Sequence, residues 1–293
     1  MHTVSILGLG AMGSRMAQTL LDAGHAVTVY NRSDAPARAL TDAGATRAIT
    51  PREAAAASEI VIAMVTDDEA SRAVWLGDNG AVLGLADDAI AIESSTLTPS
   101  WARELGAAVQ EQRAAFLDAP VLGTRPQAAS GSLIYLVGGP EAALDRVRPL
   151  LNVMGDAVHR VGEAGAGMTM KLVVNALFGV QVAAVAEMLG FLSASGLNVA
   201  DAADRLSTLS VMSPAAQRLM GRMVEGDDDP RFPVDLVEKD FRYVRDAADA
   251  AGASVPTADA VRAVYARAQE QGFGAKNMSA VAKLFFDEAT YVD

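Results

Sequence analysis

Cysteine is absent, and histidine occurs only at His2, His25 and His159. Disulfides, thiolate nucleophiles and cysteine-based metal sites are therefore excluded, and three scattered histidines give no metal-ligand spacing. Basic residues are in deficit: 24 Lys and Arg face 36 Asp and Glu, a formal charge of −12. That field repels a polyanion on average, so no nucleic-acid partner is expected, although a local basic pocket for a small anion is still allowed. Aromatic residues are only 5% of the chain, and the many alanines point to closely packed helices. Met1-His2-Thr3 runs directly into strand-like sequence without a basic leader, so the expected location is cytoplasmic. With 51% apolar and 20% charged residues over 293 positions, the composition is that of a globular chain with a sizeable core.

One long apolar run, Leu172 to Leu192, is about the length that spans a bilayer. It contains Asn175, Gln181 and Glu187 and follows Lys171. Polar groups of this kind are costly in lipid, so the run is read as a central helix of a helical core, and no membrane partner is expected.

Hydrophobic periodicity divides the chain near Gly162-Glu163-Ala164-Gly165. Before it, strand-like runs at Val4–Leu7, Val27–Tyr30, Ile60–Val65, Ala89–Glu93, Ala115–Leu117, Leu133–Val137 and Ala157–Val161 alternate with helical stretches such as Ala11–Ala23, Pro99–Gln112 and Glu141–Leu151. This pattern predicts an α/β domain over residues 1–162, with a doubly wound, mainly parallel sheet of Rossmann type. After it, Met168–Ser195, Val199–Leu206, Ser213–Val224, Leu236–Ala251, Pro256–Gln271 and Met278–Phe286 read as helices, giving an all-α domain over 163–293.

The first strand is followed by Gly8-Leu9-Gly10-Ala11-Met12-Gly13, then a helix and a second strand. Gly8 permits the turn, Gly10 lets the backbone approach a pyrophosphate at the helix N-terminus, and Gly13 lets the helix pack closely. A glycine turn alone is a weak signal, but strand before and helix after make it a dinucleotide fingerprint. The second strand ends in Asn31-Arg32-Ser33, where an NAD site usually presents Asp or Glu to the ribose 2′-hydroxyl. Asn31 does not repel a 2′-phosphate, Arg32 can pair with it and Ser33 can donate to it, so NADP(H) is preferred, with NAD(H) the alternative. The bland alternative for Arg32 is a solvated surface side chain.

Glu93-Ser94-Ser95-Thr96 ends another strand, where hydroxyls face the ligand crevice of a doubly wound fold. Helix capping before Pro99 explains the segment equally well, and Thr96 can face the nicotinamide while Thr98 caps. Asp118-Ala119-Pro120-Val121-Leu122-Gly123-Thr124 reads as a strand end and loop. Lys171 and Asn175 lie four apart, hence on one face of the long helix. An apolar setting makes such a lysine usable for proton transfer, and the competing reading is a lysine snorkelling to the surface. Lys239-Asp240 is likewise either a solvated pair or a second lysine reaching a cleft.

Taken in order, these segments resemble the β-hydroxyacid dehydrogenase family, which includes 3-hydroxyisobutyrate dehydrogenases, tartronate semialdehyde reductases and glyoxylate/succinic semialdehyde reductases. The resemblance rests on Gly8 to Ala17 as cofactor loop, Asp118-Ala119-Pro120-Val121 as the start of the substrate loop, Gly165-Ala166-Gly167 with Lys171 and Asn175 as catalytic segment, and Lys239-Asp240. It implies that Lys171 is the general acid/base and that Asn175 orients the substrate. It further implies that Thr96 and Lys239 contact the cofactor and that Met64 and Val65 line its pocket. The family's substrate loop continues Ser-Gly-Gly, whereas this chain has Leu122, Gly123 and Thr124. Leu122 removes a donor, Thr124 offers a hydroxyl two positions on, and Arg125 offers a charge for a carboxylate. The resemblance thus implies an NADP-dependent reductase/dehydrogenase of a small hydroxy acid or aldehyde (semialdehyde), with a substrate that differs from the usual 2-methyl-3-hydroxy acid. Imine reductases look like this fold too, although they often carry another residue where Lys171 stands. A non-catalytic NADP-binding sensor is the reading from another class, opposed by Lys171 and Asn175. The family forms oligomers, and the apolar long helix leads us to expect a homodimer or higher homo-oligomer.

Overall fold

Buried strands whose residues point apolar side chains to both faces, each returned by a helix, build the first half of the chain. The computed structural model describes residues 1–286. It divides into a first unit, Met1–Lys171, and a second that begins at Leu172.

In the first unit the strands β1 (Thr3–Leu7), β2 (Ala26–Tyr30), β3 (Thr46–Arg47), β4 (Ile60–Ala63), β5 (Ile90–Glu93), β6 (Ala115–Asp118), β7 (Val121–Leu122), β8 (Leu133–Gly138) and β9 (Gly155–Gly162) form one sheet. Their order is β3-β2-β1-β4-β5-β6-β8-β7, with β9 paired to β8. β1 to β6 run parallel. β8 is antiparallel to β6 and β7 and parallel to β9. The order reverses between β1 and β4, and this is the switch point outside which a doubly wound sheet binds its ligand. The connecting helices are α1 (Gly13–Asp22), α2 (Ala35–Asp42), α3 (Pro51–Ala56), α4 (Asp68–Leu76), α5 (Pro99–Glu111), α6 (Arg125–Ser130) and α7 (Glu141–Met154). Two cores result. Ile6, Met16, Leu20, Val29, Ile62, Ile92, Leu117 and Leu144 share one, while Leu7, Val61, Trp75, Ala91, Trp101 and Leu105 share the other. Fully parallel strands are covered on both sides, which is why β4 and the first three residues of β5 read as unbroken apolar runs.

The helices that follow are α8 (Ala166–Ala194), which starts in the first unit, and α9 (Val199–Ser207), α10 (Pro214–Val224), α11 (Val234–Ala251) and α12 (Pro256–Glu270). The second unit packs Val182, Ala186, Leu189, Met220, Met223, Val237, Phe241, Tyr265 and Met278 into its core. Tyr265 stacks on Phe241 and donates from its hydroxyl to the Gly179 carbonyl at 3.0 Å.

α8 is long and apolar enough to cross a membrane by length and composition, and it is partly buried. Met170, Val173, Leu177, Met188 and Phe191 on it are exposed.

Several short elements have no sequence-level forecast: α2, α3, α4, α6, β3 and β7. Of these, α3, α6, β3 and β7 are too brief to display a helical or alternating period. The run Met278–Phe286, expected as an α-helix, is instead a tighter 3-10 helix over Met278–Leu284. Asn277 accepts from the N–H groups of Arg231 and Phe232, and Ser279 donates to the Asp227 carbonyl, so the segment's start is bound to a neighbouring loop. The chain then winds with three-residue hydrogen bonds, such as Ala280 N–H to the Asn277 carbonyl at 2.8 Å.

Candidate functional site

The glycine loop leaves β1 at the switch point and is held from both sides. Gly8 N–H donates to the Tyr30 carbonyl at 2.9 Å, and the loop lies against Met64. Gly8 has φ +97°, and a Cβ there would run into the Met64 carbonyl oxygen. A Cβ at Gly13 would meet the Gly8 carbonyl oxygen in the same way. Gly10 differs, because a Cβ built on it meets no atom within 4 Å. The protein therefore requires glycine at 8 and 13 for its own packing, whereas at Gly10 the bare backbone faces open space. Helices α3, α4 and α5 are capped by Thr50, Asp67 and Thr98, but no side chain caps α1. A cradle that a Cβ would fill, beside a helix start with no side-chain cap, fits the pyrophosphate of a dinucleotide. Leu9, Ala11 and Met12 complete that loop.

Asn31 does more than the absence of repulsion implied. Its Oδ1 accepts from Leu9 N–H at 3.0 Å, and its Nδ2 donates to the carbonyl and Oγ of Ser33 at 2.9 and 3.0 Å. The amide thus ties the glycine loop to the turn after β2. Arg32 is exposed, and among the described residues no carboxylate pairs with it. Its neighbour Asp34 is engaged by Arg47.

Met64 and Val65 follow β4, both half-buried. Val65 N–H donates to Ser95 Oγ at 2.8 Å. Ser95 N–H in turn donates to Glu93 Oε1 at 2.9 Å. Glu93 is wholly buried and also accepts from Ser71 Oγ and Trp75 Nε1, at 2.6 and 2.9 Å. Burial pushes its carboxyl above the usual carboxylate range, against these three donors. Sequence reading missed Glu93 and Ser95 as organisers of the Met64–Val65 and Thr96 segments. The signal available was an acidic residue closing an otherwise wholly apolar strand. Thr98 caps α5 by accepting from Trp101 N–H.

On the substrate-loop side, Leu122 pairs with Ile134 and is half-buried. Gly123 has φ +127°. Both the N–H and the hydroxyl of Thr124 donate to Gln127 Oε1, at 2.9 and 2.8 Å. The hydroxyl that the sequence offers as a donor is thus already engaged at the start of α6. Arg125 is exposed. Asp118, where this segment begins, is buried and accepts from backbone N–H groups at the start of α8.

Lys171 is buried on α8, and Asn175 lies one turn further along the helix, also buried. Within the second unit Asn175 Nδ2 donates to Asp240 Oδ2 at 2.6 Å. An ionised carboxylate only accepts, so this bond turns the Asn175 carbonyl oxygen away from Asp240. Lys239 Nζ lies 3.3 Å from Asp240 Oδ1 and 5.0 Å from the centre of the Tyr243 ring. Lys239 and Asp240 are both buried, so the pair is not a solvated one. Asp240 as the partner of Asn175, 65 positions away, had no local signature in the sequence.

The family models agree with this layout. Residues 3–162 match the NAD binding domain of 6-phosphogluconate dehydrogenase, and residues 165–285 match the NAD-binding domain of NADP-dependent 3-hydroxyisobutyrate dehydrogenase. The chain belongs to the β-hydroxyacid dehydrogenase family. It is an NAD(P)-dependent dehydrogenase/reductase of that type, with a small-molecule substrate. Among similar proteins, an NAD-dependent L-serine dehydrogenase of Pseudomonas aeruginosa is 32% identical over 292 residues, covering 97% of this chain and 98% of the relative. A Mycobacterium tuberculosis 3-hydroxyisobutyrate dehydrogenase solved with L-serine is 28% identical with a TM-score of 0.90, covering 98% and 100% of the two chains. A Streptomyces aurantiacus imine reductase is also 28% identical but superposes with a TM-score of only 0.65, covering 97% and 100%. At equal identity, the β-hydroxyacid dehydrogenase structure is the better match.

Proposed function

We propose that this protein transfers a hydride between NADP(H) and a small hydroxy acid or its aldehyde (semialdehyde), with Lys171 as general acid/base. Residues 1–162 bind the cofactor, and residues 163–293 serve substrate binding and oligomerisation. When bound, the nicotinamide supplies the hydride in reduction and accepts it in oxidation. The loop Gly8 to Gly13 holds the pyrophosphate through backbone N–H groups. Asn31, Arg32 and Ser33 receive the 2′-phosphate, and Met64, Val65, Thr96 and Lys239 line the rest of the cofactor.

The observation that carries the chemistry is a buried lysine one helical turn from an amide whose orientation is fixed. Lys171 donates a proton to the alkoxide oxygen during reduction and takes it back during oxidation. Asn175, its amide held by Asp240, orients the substrate beside Lys171, leaving the hydroxyl hydrogen to the lysine. Leu122 in place of a serine, and a Thr124 hydroxyl already given to Gln127, favour a substrate whose carboxylate or other polar group is met by Arg125 or by backbone N–H groups. The exposed Met170, Val173, Leu177, Met188 and Phe191 on α8 support a homodimer that covers them. A monomer mass by light scattering at working concentration would remove that part.

The test is a panel of semialdehydes, glyoxylate, small 3-hydroxy acids and cyclic imines, each run with NADPH and NADH and followed by nicotinamide absorbance. Turnover of an aldehyde or hydroxy acid is expected, with NADPH favoured, and Arg32→Ala should reduce that preference by about tenfold or more. Turnover of imines alone, or equal losses with both cofactors in the variant, would contradict it.

A further inference from the structure

α8 begins without a local cap. Ala164, Gly165 and Ala166 have no side-chain acceptor to offer its first N–H groups, whereas α3, α4 and α5 are each capped by the residue just before them. The acceptor comes instead from the end of β6. Asp118 Oδ1 accepts from Gly165 N–H and Oδ2 from Met168 N–H, both at 2.8 Å, across 47 and 50 residues of chain.

The socket is made to measure by missing side chains. A Cβ at Gly138, the β8 residue paired with Asp118, would run into Oδ1. A Cβ at Gly167 would lie 2.8 Å from Oδ2 and 2.7 Å from the Asp118 carbonyl oxygen. Strand β8 and the first turn of α8 therefore close around the carboxylate. An anion at a helix N-terminus is favoured by the unpaired N–H groups and the helix dipole. Burial nevertheless penalises this charge by more than its donors return, so that the carboxyl is pushed up to about 6. A residue kept buried and acidic at that cost fits a task other than stability.

We propose that Asp118 is the positioning residue for Lys171, its carboxylate pinning the opening of α8 to the end of β6 and so fixing the helix turn from which the lysine works. This rests on the role given to Lys171 above. Lys171 stands three residues beyond Met168, about 4.5 Å along the helix axis. The same carboxylate starts the segment that carries Leu122, Gly123 and Thr124. One residue thereby joins the substrate-loop strand to the helix bearing the proton donor, two parts of the chain whose relative placement decides whether proton transfer is in reach.

Asp118→Asn is the informative change, because the amide fills the same socket while turning an NH2 group towards one of the two N–H donors. Amide hydrogen exchange and steady-state kinetics would be measured on wild type, Asp118→Asn, Lys171→Ala and the double variant, with the best substrate of the panel. Asn198→Ala, which removes the side-chain cap of α9, controls for the loss of a helix cap as such. In Asp118→Asn, exchange at residues 165–171 should quicken by about tenfold while α9 to α12 are unchanged. Its kcat should fall about tenfold, with KM and the NADPH Kd within about twofold. In the Lys171→Ala background the same substitution should cost nothing more, because the two act as one unit. An unchanged exchange rate, a full additional loss on top of Lys171→Ala, or an equal kcat loss in Asn198→Ala would overturn the proposal. Full turnover by Lys171→Ala would overturn the reading of the lysine instead, and the exchange data would still judge the anchor by itself.

Discussion

The carboxyl edge of the sheet is built in two different ways at its two ends. Where β1 and β2 finish, polar groups are left pointing outward: an open backbone at Gly10, a helix start without a side-chain cap at α1, and Arg32 without a carboxylate among the described residues. Where β5 and β6 finish, register-paired Glu93 and Asp118 are both buried and both engaged by several donors. The first arrangement leaves backbone and guanidinium groups facing outward. The second uses carboxylates to hold the protein's own segments, Ser95 with Val65 in one case and the start of α8 in the other. Acidic residues at strand ends in such a sheet are therefore to be weighed by what donates to them before they are assigned to ligand or chemistry.

The sharpest way to break this contrast lies within the glycine loop. Gly13→Ala should destabilise the fold by about 3 kcal/mol or more, because its methyl group meets the Gly8 carbonyl and not a movable side chain. Gly10→Ala should leave the melting temperature nearly unchanged and weaken NADPH, by about tenfold, since its methyl group occupies only the cradle. Equal effects of the two on stability, seen in thermal unfolding, would show that the cradle is not open in the way described.

At the other end, Asp118 makes stability depend on pH. Its carboxyl is raised from 3.8 to about 6 by burial, so the folded state holds its proton at pH values where the unfolded chain has released it. The contribution is fully favourable below the unfolded value and is lost as pH rises to about 6. Relative to Asp118→Asn, wild type should lose on the order of 3 kcal/mol between about pH 4 and pH 6 in denaturant titrations, and the difference should be flat above that. A difference that grows in favour of wild type over this range would mean that the donors from Gly165 and Met168 outweigh the burial.

The same contrast explains what was legible in the sequence. Gly8, Gly10 and Gly13 stand in one short segment whose neighbours are a strand and a helix, and local spacing carries their meaning. The parallel sheet was equally readable, because β1, β2, β4 and β5 are apolar runs at regular intervals. The roles of Glu93, Asp118 and Asp240 depend on donors 2 to 65 positions away, contributed by Ser95, Trp75, Gly165, Met168 and Asn175. No local pattern announces such partners. Asn31 was partly legible, as a residue without charge at the end of β2, but its bond to Leu9 required the loop's geometry. The Met278–Leu284 segment misled for a related reason, since its winding follows from bonds made by Asn277 and Ser279 to a distant loop.

The most direct test of the account is Lys171→Ala measured for NADPH binding and for single-turnover reduction of the preferred aldehyde. The variant's NADPH Kd should stay within about twofold of wild type while its rate falls by about a thousandfold, the share that a positioned proton donor supplies. A variant that binds NADPH and reduces the aldehyde at the wild-type rate would contradict it.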